Sequence, residues 1–159
     1  FEEIILLPTF AYATVATTLA IQYHSSSRKQ QENRIIQTAI VISVGMVILL
    51  GLITLAFPRT ILGFVSPDGD LISMTSKVIP IVILVQVINS VLQVMKSYLQ
   101  GIGFEKSILL ITIPTSMVSI IWINSLMNQW SLNGLYIGIC ICYLIILVGF
   151  ILKLREKKT

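Results

Sequence analysis

Apolar residues run through this chain in five blocks separated by short polar connections: Ile4–Tyr23, Ile35–Phe57, Val78–Leu99, Ser107–Met127 and Gly134–Leu152. At 1.5 Å rise per residue, a helix of about twenty residues crosses the ~30 Å hydrocarbon core of a bilayer. Lipid admits only helices and closed barrels as spanning structures, because every backbone polar group must be satisfied inside the protein. None of the blocks shows the strict alternation of a barrel strand. The pattern therefore predicts an all-α integral membrane protein, a bundle of five transmembrane helices. The second block holds fourteen Ile, Val, Leu and Phe residues. At about −0.3 to −0.6 kcal/mol each they favour insertion by roughly 4–8 kcal/mol, which offsets Gln37 and Thr38 near its start. The third block is the most marginal, since Lys96 costs about 2.5–3.5 kcal/mol at mid-depth. Its place near the end of the block lets the stem snorkel to the interface.

Composition agrees with the pattern. Of 159 residues, 55% are hydrophobic and only 11% charged, with a mean hydropathy of +0.91, whereas a soluble domain carries roughly a quarter of its residues charged. The lipid bilayer is the expected partner. The net charge of +4 is no nucleic-acid footprint, because the basic residues gather between apolar blocks and at the C-terminal end. The chain opens on Phe1, and Glu2 and Glu3 are the opposite of a basic signal-peptide start; the expectation is a piece of a longer protein. Cys140 and Cys142 point about 200° apart on a helix and are read as small apolar filler.

The connections alternate in charge. His24–Arg34 carries Arg28, Lys29 and Arg34; Gln100–Lys106 carries Lys106, with Lys96 just before it; the tail carries Lys153, Arg155, Lys157 and Lys158. Together these hold nine of the eleven basic residues. The positive-inside bias then puts the C-terminus in the cytoplasm and the N-terminus outside. The outer connection, residues 58–77, contains "RTILGFVS", read as a short interfacial amphipathic turn or helix. An "SPDGD" turn comes next, in which Ser66 or Asp70 caps the helix of the third block.

The third block carries the most informative polar pattern. Gln86, Asn89, Ser90, Gln93, Lys96, Ser97 and Gln100 fall within about 120° of a helical wheel. An amide left unpartnered in hydrocarbon costs several kcal/mol, so this stripe is expected to face other helices or a hydrated cavity. Amides serving as interhelical glue are one reading. A substrate- or ion-accessible cavity is the other, favoured by seven polar residues over two heptads, and its candidate residues are Gln86, Asn89, Ser90, Gln93 and Lys96. Pro8 and Pro114 interrupt the backbone bonding of their blocks and are candidate hinges. Trp122, Trp130 and Tyr136 fit an outer aromatic belt, Tyr23 and Tyr98 an inner one. Asn124 and Ser125 read as interface or loop residues. Gly134 and Gly138 form a small-xxx-small pair that predicts close helix packing. The residues form no Ser/His/Asp set, no metal-ligand cluster and no phosphate-cradling glycine loop, so no catalytic residue, metal or cofactor is expected.

At this point the sequence resembles the multidrug and toxic compound extrusion (MATE) transporters. Ala16–Gln30 resembles the family's helix end and cytoplasmic turn, although Ser25, Ser26 and Ser27 replace its glycine-rich residues. Pro58–Ile81 is similar to the family's outer connection, and Gln100–Ser107 to its Gly-x-Gly turn between two later helices. "SLNGLYIGICICYLI" resembles the last helix. The resemblance implies the last five helices of a twelve-helix, two-lobe transporter whose N-terminal lobe is the missing partner. It further implies export of drugs or other xenobiotics, small cationic or amphipathic molecules, across the plasma membrane by alternating access, coupled to Na⁺ or H⁺. Some members place an acidic cation-site residue where this chain has Asn89; a neutral amide exchanges no proton but still offers a carbonyl oxygen. Two alternatives remain. One is a flippase for lipid-linked oligosaccharides or lipids from the same superfamily, which would want more basic cavity residues than Lys96. The other is a structural subunit or non-transporting remnant.

Overall fold

The structure is a computed structural model that describes residues 2–25, 29–58, 60–61 and 69–156. Among the described residues four long helices succeed one another: α1 (Glu2–Ser25), α2 (Lys29–Ala56), α3 (Gly69–Gly101) and α4 (Glu105–Glu156). Three stretches have the length and apolarity of a membrane crossing: Asn33–Ala56, Thr75–Gly101 and Glu105–Arg155. The hydroxyls inside these helices mostly bond their own backbone. Thr17 Oγ1 donates to the Ala13 carbonyl at 2.8 Å, Thr54 Oγ1 to Leu50 at 2.8 Å and Thr115 Oγ1 to Ile111 at 2.7 Å. Back-bonding of this kind is how Ser and Thr sit in an apolar helix without an external partner.

α4 is not one straight rod. Its 52 residues would extend about 78 Å, more than twice the hydrocarbon core. Ser131 breaks the run with φ 54° and ψ −132°, and the arms 105–130 and 132–156 fold back on each other. A Cβ added to Gly149 would lie 2.9 Å from Ile111 Cγ2, and one on Gly138 2.7 Å from Ile123 Cγ1. One on Gly134 would collide with the Leu126 carbonyl. These pairings close in on Ser131 in the register of an antiparallel hairpin. Trp122 Nε1 locks it by donating to the Gly138 carbonyl at 3.2 Å. Gly134 and Gly138 thus do what their spacing predicts: without side chains, they let two helices touch.

α3 is the central element and packs against α1, α2 and α4. Over half of its most apolar window, 56%, is buried, against 28% for α2 and 22% for α4. Two kinds of contact surround it. Towards α1 and α2 the seam is made of small residues: Ala13, Ala16 and Ala39 enclose Val94, Gly51 meets Ile83, and Gly101 meets Thr17. Towards α4 the contact is bulky: Leu92, Met95 and Leu99 pack with Ile108, Cys142, Ile146 and Phe150. The outer faces carry large aliphatics such as Leu110 and Ile121, 76% and 73% exposed. In water that surface would drive aggregation; against lipid tails it is at no disadvantage.

The α3–α4 connection is a Schellman stop. Phe104 N–H donates to the Leu99 carbonyl at 2.9 Å and Gly103 N–H to Gln100 at 3.0 Å, and Gly103 takes φ 83°. Leu99 and Phe104 share the same apolar cluster, the contact that accompanies this motif.

Several expectations need correction. The outer connection is shorter than residues 58–77, because α3 begins at Gly69 and Asp70 lies inside its first turn. Ile61 N–H still donates to the Phe57 carbonyl at 3.1 Å; Arg59 and residues 62–68, with most of the expected amphipathic segment and Ser66, lie outside the described residues, as do 26–28. Asn124 and Ser125 are not loop residues: both lie in α4, near the end of its first arm. Tyr98 is no interfacial belt residue: it is 8% exposed and enclosed between helices. Helical assignment continues through Pro8 and Pro114; the sharp break is at Ser131, which bears no proline.

Candidate functional site on the central helix

The polar stripe of α3 divides into two halves. Gln86, Asn89 and Ser90 are buried, with exposures of 3%, 5% and 0%. Gln93, Lys96 and Ser97 are half-buried, and Gln100 is exposed. The amides are joined along the helix. Asn89 Nδ2 donates to Gln86 Oε1 at 3.2 Å, and Gln93 Nε2 donates to Asn89 Oδ1 at 3.4 Å. Ser90 Oγ donates to the Val87 carbonyl at 2.8 Å. A three-and-four spacing puts these side chains one turn apart on one face, so each amide can give an N–H to the one before it. The ladder joins Gln86, Asn89 and Gln93, and the stripe as a whole passes from a buried end at Gln86 to an exposed end at Gln100.

The two halves differ in what they can offer. The buried half meets part of its hydrogen-bonding need inside the helix, which is what an amide requires where water is absent. The accessible half, Gln93 to Gln100, offers amide donors and acceptors, a hydroxyl and one ammonium to whatever lies beside it. The stripe also shares its helix with Pro80, a residue that the apolar pattern alone does not single out. Its ring nitrogen carries no hydrogen, so it contributes no rung to the helix's own bonding. Further buried polar positions escape the sequence pattern. Thr54 and Ser119 bond the backbone of their own helices, whereas Thr9 on α1 and Ser43 on α2, both 0% exposed, have hydroxyls with no hydrogen-bond partner. The signal that could have found them is a lone hydroxyl at the small-residue spacing of a packed face, four residues from Ala13 and from Ala39.

Among the described residues, two of the grooves between the helices are not walled by the stripe. One of about 260 Å³ is lined by Asn33, Ile36, Gln37, Met95, Tyr98 and Leu154, where α2, α3 and the end of α4 approach each other. The other, of about 300 Å³, lies between α1 and α2. Pro8 and Pro114 sit in α1 and in the first arm of α4. Pro114 is exposed, so neither groove nor stripe is built on it.

No curated protein and no solved structure matches the chain at a significant level. A family model does. The MatE model aligns with residues 1–126, from the start of α1 through α2 and α3 to the tip of the first arm of α4, and so includes the whole polar stripe. With most of its length matched and every described element helical and apolar, the chain belongs to the MatE family of membrane transporters.

Proposed function

We propose that this chain is the stripe-bearing part of a cation-coupled exporter that moves drugs or other small cationic, amphipathic molecules out across the plasma membrane by alternating access. In this reading the coupling ion is Na⁺ or H⁺. The chain makes five passes, one each for α1, α2 and α3 and two for the α4 hairpin, and works against an N-terminal lobe of the same protein. The bias of basic residues to His24–Arg34, Lys96–Lys106 and the tail supports an outside N-terminus and a cytoplasmic C-terminus.

The observation that carries the reading is the graded stripe on the most buried helix of a MatE-family chain. A purely structural helix has little reason to keep Gln93, Lys96, Ser97 and Gln100 on one half-open face. Polar groups inside a membrane are costly and mark substrate or ion paths by default. The transport-competent surface is therefore assigned to the accessible half, with Gln93 and Lys96 contacting ligand. Gln86, Asn89 and Ser90 hold the ladder from behind. Asn89 has no exchangeable proton, so the coupling carboxylate would lie elsewhere in the complete protein.

The test is export by the full-length protein in pump-deficient cells. Gln93→Leu with Lys96→Leu is expected to lower efflux of a cationic dye at least tenfold at unchanged membrane abundance. Wild-type efflux by the double variant would remove the stripe from the transport path.

A further inference from the structure

The groove between α1 and α2 has a chemistry that the transport reading does not use. Its walls include Tyr12, Val15, Leu19, Thr38 and Ile42, and Arg34 is the one charged residue on them among the described residues. Val15 is 55% exposed and Ile42 36%, so the groove opens sideways onto the outer surface of the α1–α2 pair. Arg34 is exposed and stands one residue inside the start of the apolar span at Asn33, the depth of the headgroup layer. Ile42 lies about 12 Å deeper along the same helix. On the membrane reading of α1 and α2, charge at the interface and an apolar trough leading inward is the layout of one phospholipid: head above, acyl chain below.

We propose that this groove is a binding site for one anionic phospholipid, its phosphate held by Arg34 and one acyl chain laid along Tyr12 to Ile42. Three features support that occupant. The trough holds about 300 Å³, room for a segment of one acyl chain. A planar guanidinium forms a two-pronged match to phosphate. Arg28 and Lys29 precede Arg34 within six residues and reinforce the local attraction for an anionic leaflet. Thr38 Oγ1 already donates to the Arg34 carbonyl at 2.8 Å, which satisfies its hydroxyl proton and leaves the trough free of competing donors at that level. The proposal rests on the membrane reading of α1 and α2 and not on transport.

The experiment is photo-crosslinking in native membranes with the full-length protein carrying benzoylphenylalanine at position 19 or 42, read by mass spectrometry. The expected adduct is phospholipid, with anionic species enriched about fivefold over their bulk share, the effect of one basic residue at the surface. Arg34→Gln should return the adducts to bulk composition and Arg34→Lys should keep most of the enrichment. Val15→Trp, which fills the trough without touching the charge, should abolish adducts at position 42. Adducts to a peptide of the same protein or of a second copy would overturn the proposal. So would bulk-composition lipid adducts in the wild type, or enrichment that survives Arg34→Gln. Absence of any adduct at both positions, with a lipid-facing control at Leu110 labelled, would overturn it too.

Discussion

The α1–α2–α3 seam and the α4 hairpin solve the same problem in opposite ways. The seam brings backbones together through Ala13, Ala16, Ala39, Gly51 and Gly101 and hides polar groups in the space: Thr9, Ser43, Gln86, Asn89 and Ser90 are all buried there or on α3 beside it. The hairpin brings its arms together through Gly134, Gly138 and Gly149 and hides little that is polar: among the described residues, Ser119 and the Thr112 hydroxyl. Its outward face is aliphatic. In lipid there is no hydrophobic force between helices, so both regions depend on close van der Waals contact. They differ in what the contact protects. The seam encloses polar side chains, among them the amide pairs of α3, which bond within their own helix. The hairpin encloses mainly shape and is tied by the Trp122–Gly138 bond between its arms.

That contrast can be broken most severely at the hairpin. Gly134→Ala would push a methyl group into the Leu126 carbonyl, a backbone atom that cannot swing away. The expected loss is about 3 kcal/mol or more, the upper range for overpacking, read as a drop in thermal midpoint in detergent. Gly45→Ala is the control. Nothing lies within 4 Å of the added carbon, so helix propensity alone should stabilise it by up to about 1 kcal/mol. Equal behaviour of the two variants would mean that the arms do not pack as described.

A smaller effect distinguishes the two halves of the stripe. Asn89 takes part in both amide bonds and Gln93 in the longer one only. Asn89→Leu is therefore expected to cost about 1–2 kcal/mol and Gln93→Leu less than about 1 kcal/mol, given the modest worth of such bonds in membranes. Stability and dye export should separate, with Asn89 weighing on the first and Gln93 on the second. The reverse pattern would exchange the roles assigned to the buried and accessible halves.

The smallest expected effect has the opposite sign. Ser131 holds a positive φ that suits glycine, so Ser131→Gly should stabilise the hairpin by about 1 kcal/mol. A loss on that substitution would indicate that the Ser131 side chain holds the turn.

Much of this architecture is legible in the residue pattern. The five apolar blocks align with α1, α2, α3 and the two arms of α4. The stripe from Gln86 to Gln100 falls on one face of a single helix, because three-and-four spacing can do nothing else in a helix. The Gly-x-Gly turn stops α3 where glycine was expected. Less is legible at places governed by contact between distant residues. Pro8 and Pro114 look like the breaks, yet the backbone turns sharply at Ser131, since arms of opposite direction must meet somewhere between Trp122 and Gly138. Tyr98 looks interfacial because a phenol near a span end usually is, but here α2 and the end of α4 cover it. Local spacing sets which residues share a face, because that depends only on backbone geometry. Which end of the stripe is buried, which tyrosine is enclosed and which groove opens beside Arg34 depend on the neighbours each face meets. Those neighbours were chosen by close packing between helices, a long-range match of shapes that no single stretch of sequence contains.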